Sequence, residues 1–176
     1  MTFLKYCLLT VPFLYLFYHI FIYSRTRVPI VITPKKYYQE LFKNFTIPKN
    51  ASIYELGCGN GDFLFAVEKF LPHKVVGVEL SFFHVLCGKI KAKFKHSKVK
   101  FYYQDFFKTN INDADIIYLF LVKPVVIKIW NKIKKEVKPG TIVIVLSDKI
   151  PNEKIWQRIA TKPQNKNTTY FHLYKV

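Results

Sequence analysis

Acidic residues are scarce in this chain. Its 176 residues hold 11 Asp and Glu against 28 Lys and Arg, for a formal net charge of +17. So basic a surface repels cationic partners and favours acidic lipid headgroups, nucleic acid or an acidic protein. Richness in Lys, Asn, Ile, Phe and Tyr offers a second origin for the charge, solubility and biased codon usage. Cysteine is also rare. Cys7, Cys58 and Cys87 stand isolated with no pair at zinc-ligand spacing, so neither a metal centre nor a disulfide framework is expected. An odd, unframed count suits a reducing compartment. Glycine is limited to six residues, three of them within five positions. There is no internal repeat and no low-complexity segment, which excludes a solenoid.

About half of the chain is hydrophobic, enough for one core, and much of the excess lies in the first 23 positions. Tyr6 to Tyr23 carry no charge apart from a protonated His19. As a helix they span roughly 27 Å, close to a hydrocarbon core of about 30 Å. Pro12 is tolerated better in a spanning helix than in a soluble one, and tyrosines stand near both ends. A cleaved signal peptide needs small residues at its cleavage site, but Ile22-Tyr23-Ser24-Arg25 is bulky there. A buried core helix normally has a polar face. The segment 1–24 is therefore expected to be a single-pass transmembrane anchor, with residues 25–34 as a basic linker and residues 35–176 as the catalytic domain. Arg25, Arg27, Lys35, Lys36 and Lys43 follow the segment and only Lys5 precedes Tyr6, which orients the domain to the cytoplasm beside an anionic leaflet.

Beyond the linker, hydrophobic periodicity switches repeatedly between strand and helix. Residues 35–45 read as a helix with Tyr38, Leu41, Phe42 and Phe45 on one face. Strands are expected at 52–56, 74–79, 98–103, 115–121 and 141–146. Helices follow Asp62 and Ser81, the second with an i, i+4, i+8 stripe of Leu86, Ile90 and Phe94. A further helix turns Val126, Ile129, Ile133 and Val137 inward before Pro139-Gly140. This alternation implies an α/β, Rossmann-like, doubly wound and mostly parallel sheet. Residues 154–161 and 168–176 flank the polar turn 163–167 and read as a closing C-terminal β-hairpin.

The most informative stretch is Glu55-Leu56-Gly57-Cys58-Gly59-Asn60-Gly61-Asp62, between a strand and a helix. Alternating glycines let the backbone pass close to a ligand. A dinucleotide fingerprint is G-x-G-x-x-G with a phosphate at the helix start. Here the spacing is E-x-G-x-G-x-G, and Glu55 would repel pyrophosphate but attract a cationic amine. That fits the amino-acid end of S-adenosyl-L-methionine better than a dinucleotide. Glu79 closes the second strand, where a carboxylate can take both ribose hydroxyls; alternatively it is a solvated strand end. Asp105 follows the third strand, placed to accept from an adenine amino group; alternatively it forms a turn. Three acids at successive strand ends of one sheet edge mark where open α/β sheets bind ligands.

From Tyr54 to Asp105 the chain resembles class I S-adenosylmethionine-dependent methyltransferases. More specifically it resembles the ATP synthase c-subunit lysine N-methyltransferase family and its prokaryotic relatives. The resemblance is carried by Val31-Ile32-Thr33-Pro34-Lys35, Tyr54 to Gly59, Val76-Gly77-Val78-Glu79 and the apolar run Asp115 to Leu121. Departures lie at Cys58 to Asp62 and at Ser147-Asp148-Lys149, where the family often has Ser-His-Asp. The resemblance implies S-adenosyl-L-methionine held at Glu55, Gly57, Gly59, Gly61, Glu79 and Asp105. It also implies protein-lysine methylation, with the anchor pointing to a small membrane-protein substrate.

The acceptor side is less legible. Tyr118 and Asp148 are candidates to line it, each with a structural alternative. Phe120-Leu121-Val122-Lys123-Pro124 follows the fourth strand where many base- and glutamine-methylating enzymes carry Asn-Pro-Pro-Tyr. RNA methylation is a second reading because of the charge, although no RNA-binding module is present. Lipid or quinone methylation and a non-catalytic cofactor-binding module remain open.

Overall fold

The computed structural model describes residues 2–26, 29, 31, 33–162 and 168–176. Linker residues 27, 28, 30 and 32 and the hairpin turn 163–167 lie outside the described residues. The chain divides into two compact units, Met1–Ile30 and Val31–Val176.

The first unit is helix α1, Thr2–Thr26, with Pro12 inside it. The expected transmembrane anchor is not supported. Among the described residues no helix is both long and apolar enough to cross a membrane. The sequence of α1 is long, but Thr10, Pro12, Tyr15, Tyr18 and Tyr23 are interleaved with its aliphatic residues and dilute its apolar character. The single-pass membrane location with a cytoplasmic domain, inferred from that span and its flanking charges, is withdrawn with it.

The second unit begins with α2, Lys35–Asn44. Then come β1 Ser52–Leu56, α3 Asp62–Val67, β2 Lys74–Glu79, α4 Phe82–Phe94 and β3 Lys100–Tyr103. They are followed by β4 Ile116–Leu119, α5 Lys123–Glu136, β5 Ile142–Leu146, β6 Gln157–Ala160 and β7 Tyr170–Lys175. The seven strands form one sheet in the order β3-β2-β1-β4-β5-β7-β6. β1 to β5 are parallel, and β7 runs antiparallel between β5 and β6. β1 and β4 are buried throughout, as strands covered on both faces should be. Register places Glu55 opposite Gly77 on one side and Tyr118 on the other. The strand order reverses between β1 and β4, the position where open α/β sheets form their ligand crevice.

On one side of the sheet, Phe63 of α3 stacks on Tyr118 with ring centroids 4.0 Å apart, and Tyr38 of α2 meets both rings. α5 buries Val126, Ile129, Trp130 and Ile133. α4 behaves differently from its hydrophobic pattern. It buries His84, Val85, Gly88 and Ala92 and leaves Leu86, Ile90 and Phe94 exposed. Close packing explains the choice, since a Cβ on Gly88 would lie 2.6 Å from the Phe101 ring of β3. The small face, not the large apolar one, lets the helix approach the strand.

A candidate cofactor site and its relatives

The site is built at the C-terminal ends of β1 and β2. After Leu56 the chain turns through Gly57, Gly59 and Gly61, all with positive φ, and enters α3. Gly57 and Cys58 donate their backbone N–H groups to Val78 O at 2.8 and 3.2 Å, which fastens the turn to β2. Gly61 is left-handed at φ 76° and precedes α3, so Asp62 is the first helical residue and not the cap that its position suggests. Asp62 instead pairs with Lys91 of α4 at 2.5 Å.

The glycines answer to different neighbours. A Cβ at Gly57 would lie 2.7 Å from Leu121, and one at Gly61 would strike the Phe101 ring. A Cβ at Gly59 would meet nothing within 4 Å. Two of the glycines serve close packing, and the third borders open space at the mouth of the turn.

Glu79 binds that mouth together. Its Oε2 accepts from Gly59 N at 2.9 Å and its Oε1 accepts from Ser81 N at 2.8 Å. A carboxylate has about four lone-pair positions, so each oxygen retains capacity for a hydroxyl donor. Ser81 Oγ is 2.8 Å from His84 Nδ1, both buried at the start of α4.

Glu55 lies beneath the turn. Its Oε2 is buried with no hydrogen-bond partner among the described residues. Burial pushes its carboxyl well above the usual range, and the negative charges of Asp62 and Glu79 push it further; a backbone hydrogen bond from Leu64 acts the other way. The same environment raises Tyr38, Cys58 and Tyr118, burial being the largest cause in each. Thr33, just before α2, is buried and hydrogen-bonds with Tyr38. Thr33 and Tyr38, which join the sequence candidates Glu55 and Tyr118 in this buried group, are the residues to which sequence patterning gave no role in the site. The only signal was the Thr33-Pro34 pair before the first domain helix.

Asp105 is the N-cap of a single 3-10 turn at 106–108, its Oδ1 accepting from Phe107 N at 2.9 Å. Gln104 N donates to Glu79 O at 3.1 Å, which holds the Asp105 segment beside the end of β2. Tyr118 is completely buried under Phe63, so it lies in the core and not on an acceptor surface. Asp148 is exposed beyond β5, after Ser147 at φ 89°. Among the described residues no group of His, Cys, Asp or Glu could hold a metal ion.

The donor set fits a ligand with a cationic end and a vicinal diol. A buried carboxyl with an unpartnered oxygen lies beneath the turn, and a carboxylate with spare acceptor capacity stands at its mouth. Between them the missing Cβ of Gly59 leaves room for close approach. The sheet order with its antiparallel hairpin, the glycine turn after β1 and the acid closing β2 are those of a class I S-adenosylmethionine-dependent methyltransferase.

Comparison with known proteins narrows this class. Residues 55–157 match the model of the ANTKMT methyltransferase domain, and the chain belongs to that family. It is similar to a protein-lysine N-methyltransferase of Saccharolobus islandicus, at 29% identity over 66% of this chain and 74% of that protein. It is also similar to a putative protein N5-glutamine methyltransferase of Methanocaldococcus jannaschii, at 31% identity over 44% of this chain and 39% of that one. In fold it resembles an RNA methyltransferase from Salinibacter ruber solved with S-adenosyl-L-homocysteine. There the TM-score is 0.72 and the identity 21%, over 83% of this chain and 94% of that one. The protein is an S-adenosyl-L-methionine-dependent methyltransferase.

Proposed function

We propose that this enzyme methylates the side-chain amine of a lysine in a protein substrate. The observation that carries the reading is its kinship with the protein-lysine N-methyltransferase over two thirds of the chain. Lack of an Asn-Pro-Pro-Tyr stretch in Phe120 to Pro124 speaks for lysine over glutamine or an exocyclic base amine. The catalytic unit is assigned to residues 35–176, with residues 1–24 as an appended helix and 25–34 as its connection. The expectation of a membrane-protein substrate rested on a spanning anchor and is not carried forward.

The residues divide the work as follows. Glu79 takes the ribose hydroxyls while its bonds to Gly59 N and Ser81 N fix its rotamer. Gly59 allows the backbone to approach the bound group, with Gly57 and Gly61 shaping the turn around it. Glu55 is buried and its carboxyl favours the protonated form, so it answers the amine end only as the bound cation draws it back to the carboxylate, and not as an open ligand. Asp105 uses one oxygen as a cap and offers the other to the adenine amino group. S-adenosyl-L-methionine supplies an electrophilic methyl carbon. The protein must align the lysine lone pair with that carbon and exclude water. Asp148, exposed after β5, is assigned the role of orienting the incoming ammonium before it loses its proton.

The test is a transfer assay with isotope-labelled cofactor and a cell extract, separated into protein, lipid and RNA and followed by hydrolysis of the protein fraction. Label in N-methyl-lysine is expected. Label in methylglutamine, RNA or lipid would refute the reading.

A further inference from the structure

The outward face of α4 is an exposed apolar feature that the cofactor site leaves unused. Phe82, Leu86, Ile90 and Phe94 are 51%, 41%, 47% and 82% exposed, with Phe83 and Cys87 exposed beside them. At 3.6 residues per turn these six side chains occupy one continuous arc opposite the buried His84, Gly88 and Ala92. Lysines border the arc on both sides. Lys89 flanks one edge, Lys93 stands just inside that edge, and Lys91, paired with Asp62, flanks the other. The helix contains no acid. Exposed Tyr103 of β3 extends the patch, packing edge-on against Phe82 at 5.9 Å.

A contiguous exposed apolar patch of this kind marks an interaction site. Its charge selects the occupant. A second copy would set lysines against lysines, which disfavours self-association. Nucleic acid would match the lysines but gives no reason for Ile90 and Phe94 to project into solvent. An apolar arc with lysines along its borders matches an anionic lipid interface, where aromatic and aliphatic tips enter the acyl boundary and lysines reach the headgroups. A fluid surface accommodates a projecting helix without needing a matching groove.

We infer that α4 is a peripheral docking surface for anionic lipid, seated through Leu86, Ile90 and Phe94 and held by Lys89 and Lys93. The contact is reversible and needs no spanning helix. It rests on the face of α4 and not on the lysine-methylation reading.

Cys87 lies on the docking face and is exposed, whereas Cys58 is buried. The full chain carrying Cys7→Ser, labelled at Cys87 with an environment-sensitive fluorophore, therefore reports on this face. It is mixed with phosphatidylcholine vesicles with or without phosphatidylglycerol. The expected result is a blue shift and quenching by brominated lipid that depend on phosphatidylglycerol. Lys89→Gln and Lys93→Gln should each weaken partitioning roughly fivefold, and Phe94→Ser should remove the quenching while thermal unfolding stays unchanged. No shift with either vesicle, or the same partitioning after both lysine changes, would overturn the inference. So would an equal response to vesicles lacking phosphatidylglycerol.

Discussion

Glu55 illustrates how a binding residue can oppose stability. Its orphaned oxygen, its burial and the neighbouring Asp62 and Glu79 all favour the protonated form. With the folded carboxyl raised above its unfolded value, the folded state holds more protons than the unfolded one. Stability therefore falls as pH rises above the unfolded carboxyl range, and keeps falling until the folded group ionises. Glu55→Gln is thus expected to unfold at an equal or higher temperature than the parent at pH 8, with weaker cofactor binding. A lower melting temperature with unchanged affinity in calorimetry would contradict this. A bound cation should lower the carboxyl again, so cofactor binding should release protons. Titration calorimetry in two buffers of different ionisation enthalpy reads that number directly, and no buffer dependence at any pH would contradict it.

At the scale of elements, the glycine turn separates packing from binding. Gly59→Ala introduces a left-handed alanine, which costs roughly 1–2 kcal/mol, and puts a methyl group where nothing else stands within 4 Å. It should lower cofactor affinity with a modest drop in melting temperature. Gly61→Ala adds a collision with Phe101 and should lower the melting temperature more. If Gly61→Ala proved the milder of the two in thermal unfolding, the packing assignment would fail. The elements themselves were largely legible. Ser52–Leu56 and Lys74–Glu79 are bounded by turn signals, so their limits are clear in the sequence. The helix after Gly61 is shorter than its periodicity, because it tightens to a 3-10 turn at Glu68–Phe70 and ends on left-handed Leu71. In α4 the period was correct and the face was not, because Gly88 and Ala92 fit against Phe101 where larger residues cannot. Tertiary fit of that kind is invisible to a local pattern. The part played by Thr33 and Tyr38 escaped for a similar reason, since only the folded chain brings α2 beside Tyr118 and Glu55.

In the molecule as a whole, the C-terminal hairpin closes the sheet that carries the site. β7 pairs with β5 from Leu146↔Phe171 to Ile142↔Lys175, and Phe171 and Leu173 are fully buried. The Tyr174 hydroxyl oxygen accepts from Ile150 N–H at 2.8 Å. Phe171→Ala should cost about 3–5 kcal/mol, and because the hairpin is continuous with the parallel strands the loss should appear as one earlier transition. Urea unfolding followed by Trp130 and Trp156 would show it, whereas a separate hairpin transition would disprove the single-sheet account. The first unit contributes a helix whose length suggested a membrane span that its polar content does not support. The account stands on the acids and the glycine turn at the ends of β1 and β2. Titration of S-adenosyl-L-methionine into the parent and Glu79→Ala tests that most directly. Loss of the ribose hydrogen bonds should weaken binding by about 1.5–3 kcal/mol. An affinity that Glu79→Ala leaves unchanged would contradict the placement of the cofactor.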